Sequence, residues 1–205
     1  MPTLAGLLRL ADRNPLGPAP TFDAAHLVLA FITIGRVGTI GRQSLASNSG
    51  LGAGAIRTIL GKLKDAGLAD SSASGCHLTS GGKEVYSLLE SKMTNTVVLP
   101  RTDLTIGIHQ VALTVRRRAS SVKGGIEQRD SAIKVGASGA TSFVHKGGKF
   151  TIPGGSQDCE KDFPGKAWVE LRRLGPRDDD VVILCGASDE TRARLGALAA
   201  ALSLL

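Results

Sequence analysis

The segment spanning residues 40–68, IGRQSLASNSGLGAGAIRTILGKLKDAGL, constrains the fold more than any other part of the chain. Ile56, Ile59, Leu60 and Leu63 recur at the i, i+3, i+4, i+7 spacing that lines one face of a helix. Gly67 stands where such a helix ends in a left-handed residue. The spacing predicts a helix over 52–66. Upstream, Thr39 is placed to cap a shorter helix ending near Asn48, and Asn48-Ser49-Gly50 supplies the turn between the two. The segment therefore reads as a helix-turn-helix. Its charge has one sign: Arg36, Arg42, Arg57, Lys62 and Lys64 occur with no acidic residue between Asp23 and Asp65.

The flanks extend this pattern. Thr21 is a candidate cap for a helix over 22–34, with Asp23 in its first turn and Leu27, Phe31 and Ile34 on one face. Residues 68–70 and 76–78 read as paired strands joined by a loop over 71–75. Thr79 caps a following helix with Val85, Leu88 and Leu89 turned inward. Before all of these, Leu4, Leu7 and Leu8 mark a short helical arm over residues 1–21, and Pro15, Pro18 and Pro20 link it to the rest. The arm could pack on a partner subunit or dock loosely on its own chain. The order helix, helix, helix, hairpin, helix over 22–94 is that of a winged helix.

Residues 95–205 carry a different pattern. Strands are expected over 97–99, 104–115, 140–145, 150–152 and 180–185, and helices over 127–135 and 166–174. Gly147-Gly148 marks a hairpin. Ser188 is placed to cap a last helix bearing Leu195, Leu198 and Leu202. The expected fold class is α+β: an N-terminal winged helix-turn-helix followed by a smaller mixed α/β domain.

Composition narrows the function classes. The 205 residues are 42% hydrophobic, enough for a core, but only 3% aromatic, which argues against a base-stacking platform. A net charge of +7 favours a polyanionic partner. Cys76, Cys159 and Cys185 are odd in number and widely spaced, which fits neither a disulfide framework nor a zinc site. No stretch is long and apolar enough for a membrane span, and no signal sequence is evident, so a cytoplasmic protein is expected.

Within the helix-turn-helix, a recognition helix must offer its N-terminal turns to the major groove while cations and helix N-termini hold phosphates. Gly54, Arg57 and Thr58 lie on that side, and Arg57 alone can reach a guanine with two hydrogen bonds. Arg42, Gln43 and Ser44 open the preceding helix. Lys62 and Lys64 are placed for phosphate. Ser72, Ser74 and His77 belong to the wing. The rival reading is a solvated basic face on a protein-interaction module or an enzyme scaffold.

The run GRQSLASNSGLGAGAIRTILGKLKDAGL followed by HLTSGGKEV resembles the winged-helix domain of bacterial and archaeal transcription regulators. GIEQRDSAIKVGASGATSF and DVVILCGASDETRARLGALAAALSLL are similar to the C-terminal domain of an archaeal family of winged-helix proteins, the domain of unknown function 4443. The first resemblance implies binding to double-stranded DNA. The second implies no activity.

In the second half, Arg129, Asp130 and Lys134 lie on one expected helix, with Asp130 and Lys134 spaced as an i, i+4 pair. Gly136, Ser138, Gly139 and Thr141 follow as a small-residue loop that could meet a small anionic effector. That loop lies after a helix and before a strand, the reverse of a phosphate loop, so a helix C-cap is the favoured reading. Asp178-Asp179-Asp180 could suggest a metal, but three consecutive acids on a strand cannot all face one ion, so a solvated loop is the favoured reading. Arg116-Arg117-Arg118 ends a strand and could touch phosphate or an acidic effector, with a solvated strand end the commoner case. His26, His77, His109 and His145 are far apart in sequence and sit in no catalytic motif. The expectation is a DNA-binding regulator acting as a homodimer, with its last helix and N-terminal arm as candidate interfaces. It would have no cofactor, no metal, no membrane partner and no enzymatic activity. The alternative is a small-molecule-binding protein or enzyme whose winged helix is a scaffold.

Overall fold

The structure is a computed structural model describing residues 3–11 and 22–205. It is a mixed α/β fold with two antiparallel sheets and divides into two compact units, Met1–Leu89 and the larger Glu90–Leu205.

In the first unit, α1 (Leu4–Arg9) is capped by Thr3 and buries Leu7 completely. The arm therefore packs on its own chain against α2 (Ala24–Val37). Asp23, rather than a first-turn residue, is the cap of α2: it forms a reciprocal capping box with His26, whose Nδ1 lies 3.0 Å from Asp23 Oδ1. Thr21 and the three linker prolines lie outside the described residues. Thr39 does not cap a helix. Thr39–Ile40 forms a short strand, β1, and Gly41 precedes α3 (Arg42–Ser49). Gly50 then turns the chain in the left-handed conformation, and Gly52 precedes α4 (Ala53–Asp65). Ile56, Ile59, Leu60 and Leu63 all face the core, as their spacing requires.

The hairpin is β2 (Ala69–Ser72) and β3 (Gly75–Leu78). Ser71 and Ser72 belong to the strand, so the tip is only Ala73-Ser74. β1 pairs with the other side of β3, giving the order β1-β3-β2. Thr79 Oγ1 accepts from the Gly82 amide at 3.0 Å and opens α5 (Ser80–Lys92). Gly82 is packed so closely on the Leu68 carbonyl that any side chain there would collide with it. Val85 and Leu89 are buried, but Leu88 is 42% exposed.

The second unit is a five-stranded sheet in the order β4-β5-β8-β6-β7, every pair antiparallel. Its strands are β4 (Val97–Leu99), β5 (His109–Val115), β6 (Gly139–Lys146), β7 (Lys149–Thr151) and β8 (Val181–Ala187). Period-2 alternation sends Val182 and Leu184 to one face, where they meet Phe143, Phe150 and two helices, α7 (Cys159–Asp162) and α8 (Ala167–Arg173), through Cys159, Trp168 and Leu171. α6 (Ile126–Lys134) and α9 (Glu190–Leu202) pack on the same sheet and on each other. Asp189, one residue later than expected, caps α9 through the Arg192 amide. Ala193, Gly196, Ala197, Ala200 and Ala201 of α9 are buried within the unit. A side chain at Gly196 would press on Cys185 Sγ at 2.6 Å. The small residues of α9 thus serve close packing inside the unit.

Candidate functional site

In the first unit, the basic residues do not share one surface. Arg42, Arg57 and Lys64 converge with Ser72 and Ser74 on a groove of about 520 Å³ between α4 and the hairpin. Gly54, Arg57, Gly61 and Lys64 recur at helical spacing along one exposed side of α4, on the flank of its core stripe. Lys62 is placed elsewhere: its Nζ donates to the Leu10 carbonyl at 2.6 Å and ties the arm to α4. Lys64 is paired with Asp70 at 3.0 Å, which holds the Asp70 carboxyl below its ordinary range. His77 sits on β3, on the strand face opposite buried Cys76, between Thr39 and Asp70 in register. Gln43, Ser44 and Thr58 are exposed; the Thr58 hydroxyl donates to the Gly54 carbonyl at 3.2 Å. Ser72 and Ser74 hydroxyls lie 2.8 Å apart at the hairpin tip.

Two features of this face were not apparent from residue types. Within the unit, α1, α2 and α5 each begin with a side-chain cap, whereas α3 and α4 begin at Gly41 and Gly52 with none. Neither carries an acid in its first turn. Their first-turn N–H groups point outward with the positive end of the helix dipole uncancelled. In addition, a Cβ at Gly41, Gly52, Gly54 or Gly61 would meet nothing within 4 Å. Glycine inside a helix costs about 1 kcal/mol relative to alanine, and packing among the described residues gives no reason for Gly54 or Gly61.

The second-half residues are scattered. Asp130 pairs with its neighbour Arg129 at 3.0 Å and not with Lys134; both members are about half exposed. Gly136 adopts φ +93 as α6 ends, the Ser138 amide donates to the Gly186 carbonyl at 2.8 Å, and Gly139 begins β6 opposite Gly186. Thr141 Oγ1 donates to the Leu104 carbonyl at 2.7 Å. The small-residue loop is thus a helix end and strand entry in which the Ser138 amide and the Thr141 hydroxyl are already engaged, while Ser138 itself is exposed. Lys134 is exposed at the end of α6.

A cavity of about 650 Å³ lies instead between the loop after β4 and the α7–α8 connection. Trp168, Leu104 and Pro164 line it, with Arg101 and Lys166 among the polar residues around it. Both walls are pinned. Buried Gln110 donates to the Thr102, Thr105 and Gly107 carbonyls and accepts from the Thr102 amide and hydroxyl. Trp168 Nε1 donates to the Phe163 carbonyl at 2.7 Å. A strand expected to start at residue 104 starts at His109 because Gln110 holds residues 102–107 in a loop.

Residues 106–204 match the family model of a domain of unknown function (DUF4443). A hypothetical protein from Pyrococcus horikoshii OT3 has a similar fold, with a TM-score of 0.69 at 23% identity over 89% of this chain and 92% of that one. No curated protein matches. Among the described residues, no three His, Cys, Asp or Glu side chains cluster as a metal site, and no helix is long and apolar enough to cross a membrane. All three cysteines are unpaired and buried, and burial pushes the Cys185 thiol up to about 12, so that side chain is packing rather than a nucleophile.

Proposed function

We propose that the protein is a transcription regulator that binds duplex DNA through a winged helix formed by α2 to α5 and the sheet β1-β3-β2. The observation that carries this reading is the surface made by α3 and α4. The uncapped N-terminus of α3, Gly61 and the cations Arg42 and Arg57, which have no ion-pair partner among the described residues, lie beside one hairpin, and α4 adds a second uncapped N-terminus at Gly52, with open space at Gly52 and Gly54. Outward N–H groups and arginines suit phosphate, and small residues let a backbone approach closely. α4 is the recognition helix, Arg57 its base-reading or phosphate-holding side chain, and Ala73-Ser74 the wing tip. With so few long side chains on α4, DNA shape contributes much of any sequence preference.

Fluorescence anisotropy with duplex oligonucleotides tests this. Affinity should fall with salt at a slope of about −0.9 per phosphate contact, and Arg57→Ala should cost about 1–3 kcal/mol. Absence of duplex binding at low salt, or indifference to Arg57→Ala, removes the reading. A homodimer is part of it, since a two-fold operator calls for one.

The second unit serves as a ligand sensor on the same reading. The pinned cavity at Trp168 supports this, being of a size and lining typical of small-molecule sites. A thermal-shift hit lost in Phe163→Ala would fit that cavity. One lost instead in Arg129→Ala would return the site to α6.

A further inference from the structure

A densely charged cleft of the second unit lies where β5 ends and β8 begins. Those ends are neighbours because the strands run antiparallel, with Val115 opposite Val181. Arg116, Arg117 and Arg118 leave one strand, and Arg177 and Asp178 approach the other. With Lys92 they line a cleft of about 780 Å³ that has no aromatic or aliphatic residue in its lining among the described residues.

Asp180 organises this cleft. It is only 1% exposed. Its Oδ2 accepts from Arg116 Nη1 at 2.7 Å and from the Arg177 amide at 2.8 Å, and its Oδ1 accepts from the Arg117 amide at 3.0 Å. One buried carboxylate thereby fixes three arginine positions and neutralises Arg116. The side chains of Lys92, Arg117, Arg118 and Arg177 make no hydrogen bond or ion pair among the described residues, and besides Asp180 only Glu90 and Asp178 carry negative charge in the lining. Asp178 also lies 3.5 Å from His145 Nδ1.

The backbone supplies an independent sign. Arg117 (φ 53) and Asp179 (φ 69) are the two non-glycine residues with positive φ among those described, and they flank this same junction. Glycine would adopt that conformation with less strain. A long cation kept in the left-handed region marks a place where the side chain matters more than backbone ease.

We propose that this cleft is an anion site for a ligand that presents two or more phosphoryl groups together. Guanidinium groups match phosphate oxygens with paired hydrogen bonds, and several can share one di- or triphosphate. The all-polar lining offers no surface for stacking a base. Recognition rests on the phosphoryl groups, supplied by a free small molecule or by a nucleic-acid backbone. The site does not depend on duplex binding by the first unit.

Inorganic pyrophosphate is the probe, measured by calorimetry and thermal shift on the full chain against chloride of equal ionic strength. Pyrophosphate should raise the melting temperature, and Arg117→Ala/Arg177→Ala should bind at least ~10-fold more weakly. Asp180→Asn separates a built site from diffuse charge. It removes a negative charge, so a diffuse patch binds more tightly, whereas a site held by Asp180 binds more weakly. Arg117→Gly covers the case in which Asp180→Asn fails to fold: it should raise the melting temperature of the free protein yet weaken pyrophosphate binding. In an Arg57→Ala background, a duplex affinity that drops in the double variant with a salt slope shallower by roughly 2 assigns the phosphoryl groups to nucleic acid. Indifference to both pyrophosphate and duplex, or tighter pyrophosphate binding by Asp180→Asn, overturns the site.

Discussion

Asp180 combines burial with a carboxyl held below its ordinary value of 3.8. Burial pushes it up, but the Arg177 amide, the Arg116 guanidinium and the Arg117 amide together outweigh that. Because the folded value is depressed, its stabilisation is present above the unfolded value and is lost as pH falls through the folded one. Thermal melts should therefore show a stability loss below about pH 4. Asp180→Asn should flatten that loss while costing about 2 kcal/mol at neutral pH. The glycines of α4 make the opposite kind of residue-scale prediction. Gly54→Ala and Gly61→Ala meet no neighbour and should each stabilise by about 0.5–1 kcal/mol in denaturant melts. If the open face is there for DNA, the same changes weaken duplex binding. Stabilisation with unchanged affinity would leave those glycines without a role in the proposed interface. Sequence alone could flag Arg57 and the glycines by type. It could not separate Lys62, which holds the arm, from Arg57, because side chains on either flank of an exposed helix face read alike.

At the scale of elements, the absent caps of α3 and α4 give a direct test. Gly52→Asp would supply a cap, worth a few tenths of a kcal/mol over glycine, and would place a negative charge where phosphate is proposed to sit. Duplex affinity should drop about tenfold while the melting temperature holds or rises; an affinity that holds would count against the helix N-terminus as a phosphate contact. The helices themselves were legible, since α4 shows its apolar stripe at helical spacing. The two-residue strand β1 was not, because so short a segment has no periodicity, and its Thr39 reads equally well as a cap. The start of β5 was misread for a different reason. Residues 104–108 have a strand-like composition, and only the folded position of the Gln110 carboxamide keeps them in a loop. That loop is a wall of the Trp168 cavity, so the cavity was equally invisible. Gln110→Ala should reduce stability by about 1–3 kcal/mol through the unsatisfied carbonyls it leaves, and should weaken any ligand found at Trp168.

At the scale of the whole molecule, the small residues of α9 are buried inside the second unit and offer a second chain little surface. The outer face of α6 is available, with Ile126 60% and Ile133 47% exposed one heptad apart. Light scattering should report a dimer that Ile126→Glu/Ile133→Glu dissociates if that face is used; a dimer unchanged by the pair would place the interface elsewhere. By itself the sequence determined the helices other than α7, the presence of hairpins over 68–78 and at Gly147-Gly148, and the basic helix-turn-helix, because apolar spacing and turn residues act over a few neighbours. The tertiary structure decided which of those residues meet. Arg116–118 and Asp178–180 read separately, the one as a solvated strand end or a phosphate contact, the other as a solvated loop. They form one organised cleft because two strands more than sixty positions apart pair antiparallel, and that register is set by the burial of both sheet faces rather than by either segment.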